Sequence, residues 1–273
     1  MKLIFLDIDG TLTEPGSNVP PVSALEAIRR TQNKGNLVFL CTGRNYAMLE
    51  PLLVYPFNGM VASAGGYVTC GNEVLYNHPM PREESDLALE LLHKNGVFCT
   101  LEALEATYGD ENLGDFLSTA TAGNSEIERW RKALSESLNI QPMSLYQGTP
   151  VYKIVVMCQE DAQLDEARAA LSDRYDFVIQ EVKAHGNCQN GELINRAFDK
   201  GKGIRRVAEY LNVPMEDTYG FGDSMNDLSM IETVGHSVCM ENGAEALKKR
   251  SDLIVPSVTE EGLFRGFEQL GLI

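Results

Sequence analysis

The chain has 273 residues, 44% of them hydrophobic, which is enough for one large domain or two ordinary ones and is not a disordered composition. Its formal net charge of −16 argues against nucleic acid or an anionic membrane surface as the main partner. The longest apolar runs, NLVFLC (36–41) and VYKIVVMC (151–158), fall far short of the roughly 20 residues that cross a bilayer, and no signal-peptide pattern precedes the first strand.

LIFLDID, near the N-terminus, reads as a buried strand that ends in two aspartates, Asp7 and Asp9. A carboxylate there is costly unless something neutralises it. A loop rich in Gly, Pro, Ser and Asn follows, and then a helix over 22–35 with Val22, Leu25 and Ile28 on one face, stopping at Gly35. NLVFLC is a short, continuously apolar strand, followed by Thr42-Gly43-Arg44 and a second helix from about Asn45 to Val54. Strand, helix, strand, helix implies a parallel sheet covered by helices. Residues 60–77 read as a strand and a hairpin turning near Gly71-Asn72.

From 82 to 190 the pattern changes. A helix (82–95), a strand (97–104), a polar region with a helix around 125–138, strand 151–158, a helix from 161 to 175 and strand 176–182 make a second α/β unit. It carries 9 Lys/Arg against 19 Asp/Glu. Near 195 the first pattern resumes with helix 202–211, strand 217–222, helix 225–232, strand 236–240, helix 244–250, strand 252–256 and helix 260–270. The expectation is therefore a doubly wound, Rossmann-like parallel-sheet core built from 1–81 and 191–273, with an α/β module inserted over 82–190.

Ligand sites in open parallel sheets lie at the carboxyl ends of the strands. Polar clusters fall at such ends: Asp7/Asp9, Thr42-Gly43-Arg44, the region of Lys200, and Gly222-Asp223-Ser224-Met225-Asn226-Asp227. Carboxylates at this density suit Mg²⁺, which takes one or two of them together with water and substrate phosphate. The Thr42 hydroxyl and the N–H groups around Gly43 suit a phosphate, and Lys200 adds positive charge. A carboxylate able to attack phosphorus, a second one able to move a proton, a metal and phosphate donors make up a phosphoryl-transfer site.

These motifs resemble those of the haloacid dehalogenase (HAD) superfamily over nearly the whole chain. D-x-D-x-T is matched by Asp7-Ile8-Asp9-Gly10-Thr11, the strand-end Thr/Ser by Thr42, the helix-opening Lys by Lys200, and G-D-x-x-N-D by residues 222–227. The resemblance implies Asp7 as nucleophile and Asp9 as general acid/base. It implies Mg²⁺ bound by Asp7, the Asp9 carbonyl and Asp223, with Asp227 supporting the metal and the lysine. Gly10, Thr11, Thr42, Gly43, Arg44 and Asn226 would contact phosphate or substrate. Too little chain lies between Asp9 and Thr42 for a cap, whereas 82–190 supplies one after Thr42, as in the Cof-type or class IIB layout. The tail motif MENGAEAL (240–247) also resembles the Cof-type ending. ASAGG (62–66) departs from the S-N-G-A of many relatives, with Ala64 and Gly65 in place of Asn-Gly.

The implied activity is a cytoplasmic, monomeric, Mg²⁺-dependent phosphatase acting on a small phosphorylated metabolite. A phosphomutase shares the aspartyl-phosphate, and a non-catalytic protein on the same fold should have lost a motif residue, which none here has. Some choices stay open at this level. Lys202 rivals Lys200, although Lys200 precedes the helix and leaves Ile204 on its buried face. Arg44 is either a surface helix residue or a contact to the leaving group. His185, Asn187 and Asn190 are linker residues or substrate contacts. Ser224 lacks a triad signature. The six cysteines, Cys41, Cys70, Cys99, Cys158, Cys188 and Cys239, form no C-x-x-C pair and read as reduced, mostly buried thiols rather than zinc ligands.

Overall fold

The computed structural model describes residues 1–115, 140–180 and 189–273. The chain divides into two compact units, one formed by Met1–Arg44, Leu49–Asn77 and Phe198–Ile273, the other by Asn45–Met48 and His78–Ala197. Among the described residues no helix is long and apolar enough to cross a membrane.

The first unit is built on an eight-stranded sheet. Its strands are β1 (Leu3–Leu6), β2 (Leu37–Cys41), β3 (Gly59–Ala62), β4 (Tyr67–Cys70), β5 (Glu73–Asn77), β12 (Thr218–Gly222), β13 (His236–Met240) and β14 (Leu253–Val255). They run in the order β14-β13-β12-β1-β2-β3-β4-β5. The pairs from β14 to β3 are parallel, and the β3-β4-β5 edge is antiparallel. Every residue of β1 is buried, because a parallel sheet with helices on both faces has no solvated side for alternation to mark. On one face Leu3, Phe5, Phe39, Cys41 and Val61 pack against Ile204, Val207 and Ala208 of α4 (Lys200–Leu211). Helices α1 (Val22–Asn33) and α7 (Gly262–Gln269) pack against each other, and Phe267 of α7 meets Phe221 of β12.

Two helix expectations change here. Val22 is 84% exposed, and the buried stripe of α1 is Ala24, Ala27, Ile28 and Thr31. Val22 sits in the first turn, where the helix has not yet met the sheet. The helix expected over 45–54 is a 3₁₀ segment, Tyr46–Leu52, with Pro51 inside it. Proline has no N–H to donate and its ring clashes with the preceding turn, so Pro51 disfavours a regular α-helix here.

The second unit carries a six-stranded sheet in the order β10-β11-β9-β6-β7-β8. These strands are β6 (Phe98–Ala103), β7 (Thr107–Gly109), β8 (Ile140–Pro142), β9 (Val151–Cys158), β10 (Tyr175–Gln180) and β11 (Gln189–Asn195). Among the described residues only the β7-β8 pair is parallel. Ala88 and Leu92 of α2 (Arg82–Lys94) and Ala167 and Leu171 of α3 (Asp165–Leu171) pack with Cys99, Leu101, Ile154, Val156 and Leu193. The helix expected from 161 to 175 is a 3₁₀ turn (Asp161–Leu164) followed by α3, and Tyr175 already begins β10. Tyr175 is buried with its hydroxyl on the Glu84 carboxylate, so tertiary packing takes it from the helix.

The bounds 82 and 190 move outward to 78 and 197, because β11 crosses residue 190 and pairs with both β9 and β10. The unit also claims Asn45. That buried side chain donates to the Ala103 carbonyl (2.8 Å) and to Thr107 Oγ1 (2.9 Å), and it accepts from the Met48 N–H. The helix expected around 125–138, and His185, Asn187 and Cys188, lie outside the described residues.

Candidate active site

Strands β1 and β12 are parallel neighbours, so the residues that follow them, Asp7 and Asp223, leave the sheet side by side. Parallel register thus brings together the first and fourth polar clusters, more than 200 residues apart in sequence. Carboxylate oxygens of Asp7, Asp223 and Asp227 lie within 4.8 Å of one another. Lys200, the first residue of α4, reaches into this group and is 1% exposed. Its Nζ donates to Asp7 Oδ1 (2.7 Å) and Asp227 Oδ1 (2.5 Å), with Asn226 Oδ1 at 3.4 Å. Lys202 points elsewhere, 3.3 Å from Asp199, the residue whose side chain caps α4 by accepting the Lys202 N–H. Geometry therefore distinguishes the two lysines.

Asp227 is fully committed. Its Oδ1 takes Lys200, and its Oδ2 accepts the N–H groups of Asp223 (3.0 Å) and Ser224 (3.1 Å). Ser224 spends its hydroxyl on Asn226 Oδ1. Asp223 differs: its Oδ1 is buried with no hydrogen-bond partner. Gly10 has φ +86°, and a Cβ there would lie 2.4 Å from Asp223 Oδ2. Glycine is thus required at position 10 by conformation and by the closeness of Asp223. The Gly10 carbonyl accepts Asn242 Nδ2 (2.9 Å), which gives the MENG stretch a place in the site.

The electrostatics follow from three carboxylates around one ammonium. Burial, then the charge of Asp227, raises Asp7 to about 7 despite Lys200. Burial, then the charges of Asp7 and Asp227, raises Asp223 to about 8. Burial alone would lower Lys200, but Asp227 and Asp7 outweigh it and hold the ammonium protonated. The cluster is short of positive charge, has hard oxygen donors and contains an orphaned carboxylate oxygen. That set fits a hard divalent cation and not a soft one.

Asp9 turns away from the lysine. Arg44 Nε donates to Asp9 Oδ2 (2.9 Å) and Arg44 Nη2 to Asp9 Oδ1 (2.7 Å), while the Gly16 N–H donates to Oδ1 (2.9 Å). Arg44 also reaches Asn18 Oδ1 (2.6 Å). It is therefore not a surface helix residue but the clamp of Asp9. Thr42 is buried, and its Oγ1 accepts the Arg44 N–H (3.1 Å), which folds the 42–44 turn. The hydroxyl of Thr11 is buried and without a partner. Gly43 lies in the same turn, between Thr42 and Arg44.

The segment after β3 is strained. Ser63 (φ +50°) and Ala64 (φ +55°) are both left-handed, and the Ser63 hydroxyl is buried and unpartnered. The Ala64 N–H donates to the Thr42 carbonyl and the Ser63 N–H to that of Arg44, so this turn braces the 42–44 turn. A Cβ on Gly65 would lie 2.2 Å from the Asp199 carbonyl. The departure from an Asn-Gly pair falls here. Asn tolerates the left-handed region better than Ala does, and Gly65 has no alternative.

Sequence reasoning missed Ser63, Gly16, Asn18 and Asn45. Gly16 and Asn18 sit in a stretch that reads only as loop, and Asn45 directly follows Arg44 without a motif of its own.

Over residues 4–267 the chain matches the family model for haloacid dehalogenase-like hydrolases. The chain belongs to this family. It is similar to 5-amino-6-(5-phospho-D-ribitylamino)uracil phosphatase YwtE of Bacillus subtilis, 28% identical over 99% of this chain and 98% of that one. It is also similar to pyridoxal phosphate phosphatase YbhA of Escherichia coli, 23% identical over 96% of each. Among solved structures, a hypothetical protein from Geobacillus kaustophilus superposes with a TM-score of 0.80 at 27% identity, covering 100% of this chain and 99% of that one. A HAD subclass IIB sugar phosphatase has the same fold, with a TM-score of 0.76 at 22% identity and full coverage of both. The HAD-like core with an inserted α/β cap and the assignment as a Cof-type HAD phosphatase therefore stand.

Proposed function

We propose that this HAD hydrolase removes phosphate from a small phosphorylated metabolite through an aspartyl-phosphate on Asp7, with Mg²⁺ as cofactor. The observation that carries the reading is the buried Lys200–Asp7–Asp227 cluster beside the orphaned oxygen of Asp223. Relatives named for a ribitylaminouracil phosphate and for pyridoxal phosphate support a small metabolite as substrate.

Asp7, the Asp9 carbonyl and Asp223 would hold the metal, and Asp227 would keep Asp223 and Lys200 in place. When bound, Mg²⁺ supplies positive charge that offsets the carboxylates and the phosphate oxygens. Lys200 fixes the Asp7 carboxylate through Oδ1 and adds charge for the equatorial oxygens. Thr42, the N–H groups of the Gly43 turn and Thr11 receive the phosphate, with Asn226 beside Lys200.

An Asp7 oxygen forms a bond to phosphorus while the bond from phosphorus to the ester oxygen breaks. That oxygen leaves with a proton from Asp9. Arg44 donates to both Asp9 oxygens here, so the donor role requires Asp9 to leave this grip, take up a proton from solvent and pass it to the ester oxygen. In the second half Asp9 takes a proton from water, the water oxygen bonds to phosphorus, and Asp7 is released with inorganic phosphate. The test is phosphate release from a panel of phosphorylated metabolites and p-nitrophenyl phosphate, with and without Mg²⁺. Release that persists in Asp7→Asn protein free of contaminating phosphatase would refute the mechanism.

A further inference from the structure

Within the second unit, the last turn of α2 and the open end of the β6-β7 hairpin bring three different metal-binding side chains together. β6 and β7 are antiparallel, with Thr100 opposite Gly109. One residue further along, Cys99 stands opposite Asp110. The Asp110 N–H donates to the Cys99 carbonyl (3.1 Å), and the Cys99 N–H donates to Asp110 Oδ2 (2.7 Å). Residues opposed on neighbouring strands present their side chains to the same face. For Cys99 that face packs against α2, whose last turn carries His93. His93 Nε2 lies 3.0 Å from Asp110 Oδ2. Donor atoms of His93, Cys99 and Asp110 all lie within 4.8 Å of one another.

An ordinary ion pair does not account for this group. A half-exposed His–Asp contact contributes little to stability and has no need of a thiol. A buried cysteine behaves as a small apolar side chain, yet fully buried Cys99 has a ring nitrogen and a carboxylate oxygen close to its Sγ. Both side-chain bonds of Asp110 among the described residues use Oδ2, which leaves Oδ1 for a further partner. The side chains of His93 and Asp110 are 40% and 17% exposed, so the group opens to solvent on one side and is closed by the core at the sulfur. Nitrogen, sulfur and oxygen donors together suit Zn²⁺, whereas Mg²⁺ favours oxygen alone. Tetrahedral Zn²⁺, with bonds of about 2.0–2.3 Å, sets its donors roughly 3.3–3.6 Å apart, so closing on the ion asks for about an ångström of side-chain movement.

We infer that His93, Cys99 and Asp110 form a Zn²⁺ site in the inserted unit, with water from the exposed side as the fourth ligand. The site differs in donor chemistry from the carboxylate cluster of the core and does not depend on the hydrolase reading. On binding, the Cys99 thiol gives its proton to solvent, His93 ligates as the neutral imidazole, and Asp110 contributes one carboxylate oxygen. The ion ties the end of α2 to β6 and to the residue after β7, and so stabilises the unit. Cysteine spacing in the sequence does not disclose such a site, because its ligands come from a helix end and two strands and only one of them is a cysteine.

The test uses the full-length protein, stripped with EDTA and then held in excess Mg²⁺, which competes for all-oxygen sites. Co²⁺ is the spectroscopic probe. About one equivalent should produce a thiolate-to-cobalt charge-transfer band with the intense visible bands of a four-coordinate ion, and Zn²⁺ should abolish both. Cys99→Ser should remove the charge-transfer band, while Cys70→Ser, which changes a partly buried cysteine of the other unit, should keep it. His93→Gln and Asp110→Asn should each weaken Co²⁺ binding by about tenfold or more. Zn²⁺ should raise the Tm of the wild type and not that of Cys99→Ser. His93→Gln, at a half-exposed position, decides the matter if Cys99→Ser fails to fold. No thiolate band in the wild type, a band that survives in Cys99→Ser, or a folded His93→Gln protein that binds Co²⁺ as the wild type does would overturn the assignment.

Discussion

Lys200 in the core and Lys153 in the cap are both buried lysines set between two acids, but their surroundings are balanced differently. Lys200 answers three carboxylates, and burial with mutual repulsion raises Asp7 and Asp223 to about 7 and about 8. Lys153 answers two, at 2.7 and 3.3 Å, on a sheet face that also carries Val155 and Met157. The first cluster is short of positive charge, whereas the second is an ion triad beside the apolar side chains of Val155 and Met157. A surplus of buried carboxylate charge at strand ends suits a hard cation, whereas a buried ion triad on a sheet face is balanced within itself.

The sharpest test of the core cluster is Asp7→Asn. The amide is nearly isosteric but cannot attack phosphorus, so kcat should fall by about 10⁴-fold or more with every substrate while the far-UV CD spectrum is unchanged. A loss confined to some substrates would place selection, not chemistry, at Asp7. Next comes Lys200→Ala, expected to lower kcat by roughly 10²–10³-fold, the scale of one preorganised electrostatic contact. Lys202→Ala should stay within about twofold of wild type, since its ion pair is exposed at the surface. Reversal of that order in steady-state kinetics would reassign the lysine.

The charge deficit also makes a claim about pH. Asp7 and Asp223 have folded-state pKa values above their ordinary value of 3.8. Between these limits the folded state binds more protons than the unfolded one. Stability of the metal-free protein from these groups is therefore present below about pH 4 and is lost as pH rises through about 7 to 8. Mg²⁺ should recover it, so the rise in Tm on replacing EDTA with Mg²⁺ should be larger at pH 8 than at pH 5.5. An equal rise at both values, read by calorimetry, would count against these acids as the metal site. Ca²⁺ should support little turnover, since it accepts more ligands at longer distances and suits this small oxygen set less well.

The smallest expected effect concerns the strained turn beside the core site. Ala64→Gly should relieve left-handed backbone strain and stabilise the protein by up to about 1 kcal/mol, offset in part by the freedom glycine adds to the unfolded chain. Turnover should change little, because position 64 braces Thr42 through its N–H, which glycine keeps. A fall in Tm would show that the Ala64 methyl packs more than its backbone strains.

Much of the core was legible from residues alone, and less of the cap. Asp7, Thr42, Lys200 and Asp223 stand next to strand ends or open a helix, so local pattern and chain order were enough to place them near one point. The buried runs of β1 and β2 announced a sheet covered on both faces. By contrast, Val22 fell outside the buried stripe of α1 while Ile28 lay in it, because periodicity does not say which residue first touches the sheet. Pro51 and Tyr175 likewise yielded to packing that no local window contains.

By itself the sequence determined the family, the order of the candidate site residues and the presence of an inserted α/β module, because the family's motifs stand at the ends of particular strands. Only the tertiary structure decided that Lys200 rather than Lys202 meets Asp7, that Arg44 clamps Asp9, and that Glu102, Lys153, Asn190 and Glu192 share one buried face. Those relations arise from strand register between segments 50 or more residues apart in several cases, and a charge destined for burial looks in sequence like any solvated charge.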